Sequence, residues 1–211
     1  MRPMRSMLKF IPLLFFFGIF FGFAQEKQND HLMITESKYG FESTVSRLES
    51  LLKQTEALSL FSKVDHSANA KNANLELAKG SVLIFGNPEQ GNLLIQKDQL
   101  SGLDLPLKML VYENSDKTEL TFSSVNYLKS RFNFKGVKNL SKVKKGLKNI
   151  ASKASGGKVV KSEKFNLKTH EGIISEISDF DFNTTYDRLI NAIEGNPNRS
   201  EERRVGKECE R

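Results

Sequence analysis

Cysteine is nearly absent from this chain of 211 residues, tryptophan is entirely absent, and histidine occurs three times. Because Cys209 is the single cysteine, no disulfide can form within the chain and no site with several cysteines can hold a metal. No histidine-rich spacing suggests a metal site either. Without tryptophan, and with few aromatic residues among its lysines, the chain gives no support for stacking on nucleic-acid bases. We therefore predict no cofactor, no metal and no nucleic-acid partner.

Acidic charge is scarcer than basic charge, but the imbalance is small outside the two ends. The formal net charge is +7, whereas residues 25–198 carry 24 Lys and Arg against 21 Asp and Glu, a net charge of +3. Eleven lysines fall within residues 135–168, beside the single acidic residue Glu163. We interpret that stretch as a solvated helix face and a linker, with contact to anionic lipid or nucleic acid as the alternative.

The longest apolar run is too short for a comfortable membrane span. It covers the 14 residues 10–23, whereas a spanning helix needs about 20. Three basic residues precede the run, and small residues at positions 22 and 24 suit a signal peptidase. We therefore predict a signal peptide over residues 1–24, export to the periplasm or the cell exterior, and no stable membrane span after cleavage. An uncleaved anchor is the alternative.

Apolar periodicity predicts one complete domain over residues 32–155. Alternating runs indicate strands, two of them joined as a hairpin over residues 107–123. Two stripes at helical spacing indicate a first and a closing helix, the first built from Phe41, Val45, Leu48 and Leu52 and the second from Val137, Leu140, Val143, Leu147, Ile150, Ala151 and Ala154. These elements predict an α+β fold in two layers, with a mostly antiparallel sheet and helices packed on one face.

The sequence partly repeats itself after a basic linker at residues 156–171. Residues 182–189 match residues 41–48 at four of eight positions, at an offset of 141, and Ile-Ser-Glu at 174–176 resembles Ile-Thr-Glu at 34–36. We interpret residues 172–198 as a truncated second copy of the domain, with chance agreement of two amphipathic helices as the alternative. The run over 199–211 has almost no apolar content, and we interpret it as a non-native tail rather than a natural charged one.

Three short motifs lie at the edges of apolar runs in the complete domain. They are DHSANA at 65–70, VLIFGNPEQG at 82–91 and LDLPLKMLV at 103–111. In this order and spacing they closely resemble the domain-of-unknown-function 302 family. The resemblance covers roughly residues 32–154, and it implies a compact α+β domain that sometimes occurs in tandem, mostly in bacteria and archaea. It implies no established activity and no catalytic residues.

The same motifs contain five candidate ligand-binding residues. Gly86 and Asn87 stand at a strand-to-helix corner, where a helix start favours anions and glycine removes a blocking side chain. Asp65 and His66 end a neighbouring strand, and we expect them to face the same corner, where His66 adds positive charge. Asp104 precedes a Leu-Pro pair and completes the set. Each residue also has a structural alternative, because tight turns and strand ends favour these residue types.

These observations predict an exported, non-catalytic module that binds a small anionic ligand or a partner in the cell envelope, with a homodimer as one form of partner. An enzyme that uses Asp65 and His66 as acid and base is the first alternative. A purely structural or dimerising domain, whose motifs only shape the fold, is the second.

The leader generates the first testable prediction. We expect cleavage between Ala24 and Gln25, because the basic start, the apolar length and the small residues are those that processing requires. Amino-terminal sequencing of protein recovered from the envelope fraction should begin at Gln25. An intact Met1 on a membrane-embedded form would show that the segment is an anchor.

Overall fold

A computed structural model describes residues 31–160 and 167–196 of the chain. The predicted signal peptide and its cleavage site, part of the basic linker and the tail over residues 199–211 lie outside the described residues.

The domain is built on five strands in one sheet. The strands are β1 (Leu32–Glu36), β2 (Ser59–Asp65), β3 (Gly80–Gly86), β4 (Leu107–Asn114) and β5 (Lys117–Ser123). Their order across the sheet is β1-β5-β4-β3-β2, and every neighbouring pair is antiparallel. The predicted α+β class with an antiparallel sheet is confirmed.

Six α-helices and one short 3-10 helix occur within the described residues. They are α1 (Phe41–Gln54), α2 (His66–Asn72), α3 (Pro88–Lys97), the 3-10 helix (Gln99–Leu103), α4 (Val125–Arg131), α5 (Leu140–Ser155) and α6 (Phe182–Glu194). Helices α1 and α5 pack against each other and both contact the sheet, so they form the second layer. None of the described helices is long and apolar enough to cross a membrane.

One face of the sheet is buried because the strands alternate apolar and polar side chains. The buried face carries Leu83, Phe85, Met109, Val111, Leu120 and Phe122. In the hairpin, Met109 lies opposite Phe122 and Val111 lies opposite Leu120. The predicted stripe of α1 is buried against this face at all four positions, and Ala151 and Ala154 of α5 are small enough to let α1 approach closely.

Arg47 joins α1 to the end of α5. Its Nε donates to the carbonyl of Ala154 at 3.0 Å, and its terminal nitrogen donates to the carbonyl of Lys153 at 2.9 Å. The last carbonyls of a helix lack partners inside the helix and carry partial negative charge. Arg47 supplies hydrogen-bond donors to these carbonyls and a positive charge beside them. Its guanidinium also lies 4.2 Å over the ring of Tyr39.

The chain leaves α5 through two glycines that the geometry requires. Gly156 has a φ of +65° and ends the helix in the left-handed conformation, as the Gly-Gly pair predicts. A Cβ on Gly157 would stand 2.2 Å from the backbone oxygen of Glu36, so only glycine fits there. The chain then runs beside β1, where Val160 forms a bridge with Ile34. The outer edge of β1 is thereby partly covered.

The segment between β5 and α5 contains structure that the sequence patterns did not predict. Ser124 accepts a hydrogen bond from the amide of Tyr127 and caps α4, whose Val125 and Leu128 are buried. Phe132 and Phe134 add two buried rings after the helix. The closing helix starts at Leu140 rather than at Val137, because Asn139 has a φ of +69° and interrupts the helical path.

The predicted second copy is reproduced only as a helix. Helix α6 has the predicted position, and Asp181 caps it by accepting from the amide of Thr184. Residues 174–176 form no strand, which contradicts their resemblance to β1. Strand β1 pairs with β5 along its whole length, whereas residues 174–176 pair with no strand among the residues that the structure describes. The second copy therefore stays a prediction.

The core assignment predicts a large cost for truncating a central side chain. Leu120 is fully buried, so Leu120→Ala should lower the free energy of unfolding by about 2–5 kcal/mol. Leu93→Ala is the matched control, because Leu93 is 53% exposed on α3 and its loss should cost less than about 0.5 kcal/mol. Urea titration of both variants measures the difference. Equal losses in the free energy of unfolding for the two variants would mean that Leu120 does not lie on the buried face of the sheet.

Candidate functional site

Asp65 is the capping residue of α2. Its Oδ1 accepts from the hydroxyl of Ser67 at 2.6 Å and from the amide of Ala68 at 2.9 Å. Partial burial pushes the pKa of Asp65 up, but the hydrogen bonds from Ser67 and Ala68 outweigh it, and the pKa lies below its ordinary value. A carboxylate with a lowered pKa and committed lone pairs is a weak proton acceptor. The geometry fits a helix cap.

The register of the sheet separates Asp65 and His66 from Gly86 and Asn87. Ser59 lies opposite Gly86, and Asp65 lies opposite Ser81 at the other end of the β2–β3 pair. Five residue steps along β3 correspond to about 17 Å at roughly 3.3 Å per residue. The expectation that the two motifs share one corner is therefore wrong. Antiparallel pairing sends the end of β2 to the start of β3.

The corner at Gly86 and Asn87 is a helix start with little room for a ligand. Asn87 Oδ1 accepts from the amide of Gln90 at 2.8 Å, and Pro88 has no amide hydrogen. Glu89 adds negative charge in the first turn. Gly86 is itself buried, and a Cβ placed there would touch Phe61 and Pro106 at 3.5 and 3.8 Å. Most amides of this helix start therefore already have a partner or are absent, and the neighbouring side chains leave little open space for an anion.

The side chains of Asn87 and Gln90 have different roles at this helix start. Asn87 caps the helix by accepting from the amide of Gln90, whereas the side chain of Gln90 contacts another segment. Its Nε2 donates to the carbonyl of Lys138 at 3.5 Å, which joins α3 to the segment before α5.

Asp104 lies at the same end of the sheet as Gly86 and forms a partly buried ion pair. Arg131 donates to its carboxylate at 3.3 Å, and each side chain is about one-fifth exposed. Arg131 also donates to the hydroxyl of Tyr127 and lies over the ring of Phe132. The Nε of Arg131 is buried and has no hydrogen-bond partner among the described residues. The sequence patterns did not identify Arg131, because 27 residues separate it from Asp104.

A cavity of about 180 Å³ opens beside Asp104, and we call it the Asp104 cavity. It lies where the start of β4, the end of β5, α4 and α5 meet. Its lining consists of Asp104, Leu107, Lys108, Phe122, Ser123, Leu128 and Leu147. Four of these residues are apolar, two are charged and one is a serine. Among the described residues, Lys108 has no ion-pair partner, and it is exposed.

A second polar cluster lies next to Arg131. His170 Nε2 and Asp98 Oδ2 are 2.7 Å apart, and the amide of Asn133 donates to the same carboxylate oxygen at 2.9 Å. The amide of His170 also donates to the carbonyl of Arg131. Burial pushes the pKa of Asp98 up, but the Asn133 amide and His170 overcome it, and the pKa lies below its ordinary value. The predicted linker is therefore anchored to the domain.

The Asp65 end of the sheet also carries a wide, open groove. It has a volume of about 880 Å³ and lies between α2 and the residues that precede β3. Its charges are mixed, with Lys71 and Lys79 opposed by Glu42, Asp65 and Glu76. No group of three or more metal-ligating side chains is present in the described part of the chain. We therefore regard the Asp104 cavity as the better candidate for a small ligand.

Comparison with known proteins supports the family resemblance. A sequence model described as "Domain of unknown function DUF302" matches residues 33–154. A crystal structure of an uncharacterized conserved protein DUF302 from Bacillus stearothermophilus is similar with a TM-score of 0.53 and 21% identity, and the match covers 59% of this chain and 98% of that one. At this identity the likeness concerns the fold alone.

Two curated relatives carry a functional name. The fluoride-specific ion channel FluC 1 of Brucella suis biovar 1 (strain 1330) is 37% identical over 101 residues, which are 47% of this chain and 39% of the relative. The protein of the same name from Brucella abortus biovar 1 (strain 9-941) is also 37% identical over 101 residues, which are 37% of its length. This chain therefore spans less than two-fifths of the curated relatives that it matches.

The Asp98 cluster generates a prediction about pH. A carboxyl group whose pKa is lower in the folded state stabilises the fold above its unfolded pKa, and this contribution disappears as the pH falls through the folded value. Asp98→Asn should therefore cost about 1–3 kcal/mol at pH 7, and the difference from the parent should shrink at pH values below about 4. Thermal unfolding across this pH range measures both effects.

Asp116→Asn is the control for this prediction, because Asp116 is exposed in the hairpin turn. It should change the unfolding temperature little at any pH. A constant difference between Asp98→Asn and the parent from pH 7 to pH 3 would show that the charge of Asp98 does not stabilise the fold.

Proposed function

The chain belongs to the family described as domain of unknown function DUF302, and within this family we propose that it is a non-catalytic module which binds a small anion that carries an apolar group. The ligand occupies the Asp104 cavity. The observation that carries the proposal is a largely apolar cavity beside Lys108, an exposed lysine that has no ion-pair partner within the described ranges.

The size of the cavity defines the apolar part of the ligand. An apolar cavity of about 150 Å³ accommodates benzene, so the roughly 180 Å³ found here suits a single ring or a short branched chain. Leu107, Phe122, Leu128 and Leu147 supply the apolar contacts.

The charges at the cavity define the polar part of the ligand. Asp104 alone would repel an anion, but Arg131 neutralises it across 3.3 Å. Lys108 is then left as the uncompensated charge, so the local balance is positive. A carboxylate or another oxyanion is the natural partner for a lysine, because a charge-assisted hydrogen bond is stronger than a neutral one. Lys108 alternates with the buried Met109 along β4, so its ammonium group lies outside the apolar walls. We therefore place the anionic group at the open end of the cavity, beside Lys108, and not at the Asn87 helix start.

Catalysis by Asp65 and His66 receives less support than binding. Asp65 is committed to capping α2, and its lowered pKa disfavours a role as general base at neutral pH. His66 begins α2, at the end of the sheet opposite the Asp104 cavity. We infer a structural role for the Asp65 cap, so the proposed module is a binding protein rather than an enzyme.

Export and a role in the cell envelope complete the proposal. They rest on the predicted leader and on relatives whose name refers to an ion channel. The name of these relatives makes fluoride one anion to test. A cavity of about 180 Å³ is much larger than a fluoride ion, so we expect fluoride to bind more weakly than a carboxylate that fills the cavity.

A ligand screen on the full chain tests the proposal, with benzoate, acetate, phosphate and fluoride as the probes. Ligands that bind the folded state raise the unfolding temperature by mass action. We expect benzoate to give the largest shift, because it fills the apolar lining and pairs with Lys108. Lys108→Gln should weaken benzoate binding about tenfold by removing one charge-assisted interaction.

Lys129→Gln is the matched control, because Lys129 is an exposed lysine on α4 outside the cavity lining. Isothermal titration with benzoate should give the same affinity as the parent. The proposal is wrong if benzoate causes no shift, or if Lys108→Gln and Lys129→Gln bind benzoate equally well. A shift by fluoride alone would instead favour a site for a bare anion.

A further inference from the structure

The loop before α6 repeats three hydrogen bonds of the loop before α1. The hydroxyls of Ser178 and Thr185 are 2.6 Å apart, and those of Ser37 and Thr44 are 2.7 Å apart. The amide of the second residue after each serine donates to that serine at 3.2 Å in both loops. Each threonine also donates to the carbonyl five residues before it. Each of these hydrogen bonds in the loop before α6 has its counterpart 141 residues earlier, in the loop before α1.

The same offset relates two arginines. Arg188 lies 4.3 Å over the ring of Phe180, and Arg47 lies 4.2 Å over the ring of Tyr39. Ser178 and Phe180 lie outside the eight-residue sequence match, so the resemblance extends beyond that match. Chance agreement of two amphipathic helices does not account for a shared loop geometry.

Helices α1 and α6 differ in what covers their apolar stripes. The stripe of α1 is at most 6% exposed, because the sheet and α5 pack over it. The equivalent residues of α6 are Phe182, Tyr186, Leu189 and Ile193, and they are 43–80% exposed. A helix with this stripe is stable in a globular protein when a second layer covers it.

Charge indicates what that layer contains. Arg47 donates to the last carbonyls of α5, whereas Arg188 has no carbonyl partner among the described residues. The carbonyl end of a helix carries partial negative charge, which complements a guanidinium. A partner for α6 must therefore present a helix C-terminus at the position where α5 ends beside α1.

We propose that residues 178–194 are a docking surface for one kind of partner, the sheet and closing helix of a second domain of this same design. The stripe of α6 packs on the buried face of that sheet, and Arg188 donates to the last carbonyls of its closing helix. The sheet of the first domain does not serve as this partner, because α1 already occupies it.

A graft in the full chain tests the proposal. Residues 37–53 are replaced by a copy of residues 178–194, which places the α6 unit on the sheet and on α5. Tyr186 would stand where Val45 is buried, so a second graft carries Tyr186→Val in the copied segment. We expect the second graft to unfold in a single cooperative thermal transition. The first should do so at a lower temperature, because overpacking destabilises a core.

A third graft, with Leu189→Asp in the copied segment, is the control and should lose the cooperative transition. Loss of cooperativity in all three grafts would overturn the proposal. Sedimentation of the unmodified chain tests the competing partner, a second α6. A dimer that Leu189→Asp dissociates in the unmodified chain would show that α6 packs on its own copy, and it would also overturn the proposal.

Discussion

Burial of the α1 stripe between the sheet and α5 is the constraint on which the rest of the domain depends. The stripe can be covered only if strands far apart in sequence bring one face together and if α5 lies close to α1. The small Ala151 and Ala154 allow that approach. Arg47 then fastens α1 to the last carbonyls of α5, and Gly157 lets the chain pass against β1. The C-terminal end of α5, Gly157 and the edge strand β1 therefore lie next to one another.

Much of the fold could be predicted from the sequence, because most elements carry a strong local pattern. The stripe of α1 and the alternation of β4 and β5 are such patterns, and the structure confirms them. Helix α4 has only 7 residues, about two turns, with two of them buried, which is too short for helical periodicity to be recognised. The left-handed backbone conformation of Asn139 sets the start of α5 at Leu140, and an apolar pattern does not predict backbone conformation.

The candidate site was less predictable, because it depends on register and on distant pairs. The motif at Asp65 and the corner at Asn87 each have the local structure that their residues predict, since both side chains cap helices. Their separation follows from antiparallel pairing of β2 with β3, which neither motif contains. Asp104 belongs to the candidate set, but Arg131 and His170 are brought to its end of the sheet by the tertiary fold alone.

The two outer strands have a consequence for the behaviour of the protein at high concentration. An exposed edge strand offers unpaired amides and carbonyls to any other strand, which is a common route to aggregation. At one edge, Val160 already occupies part of β1. At the other, β2 has an irregular register between Leu60 and Ser62 and carries the exposed Lys63. A register irregularity and a charge both disfavour the addition of a strand, so each edge of the sheet carries a feature that opposes aggregation.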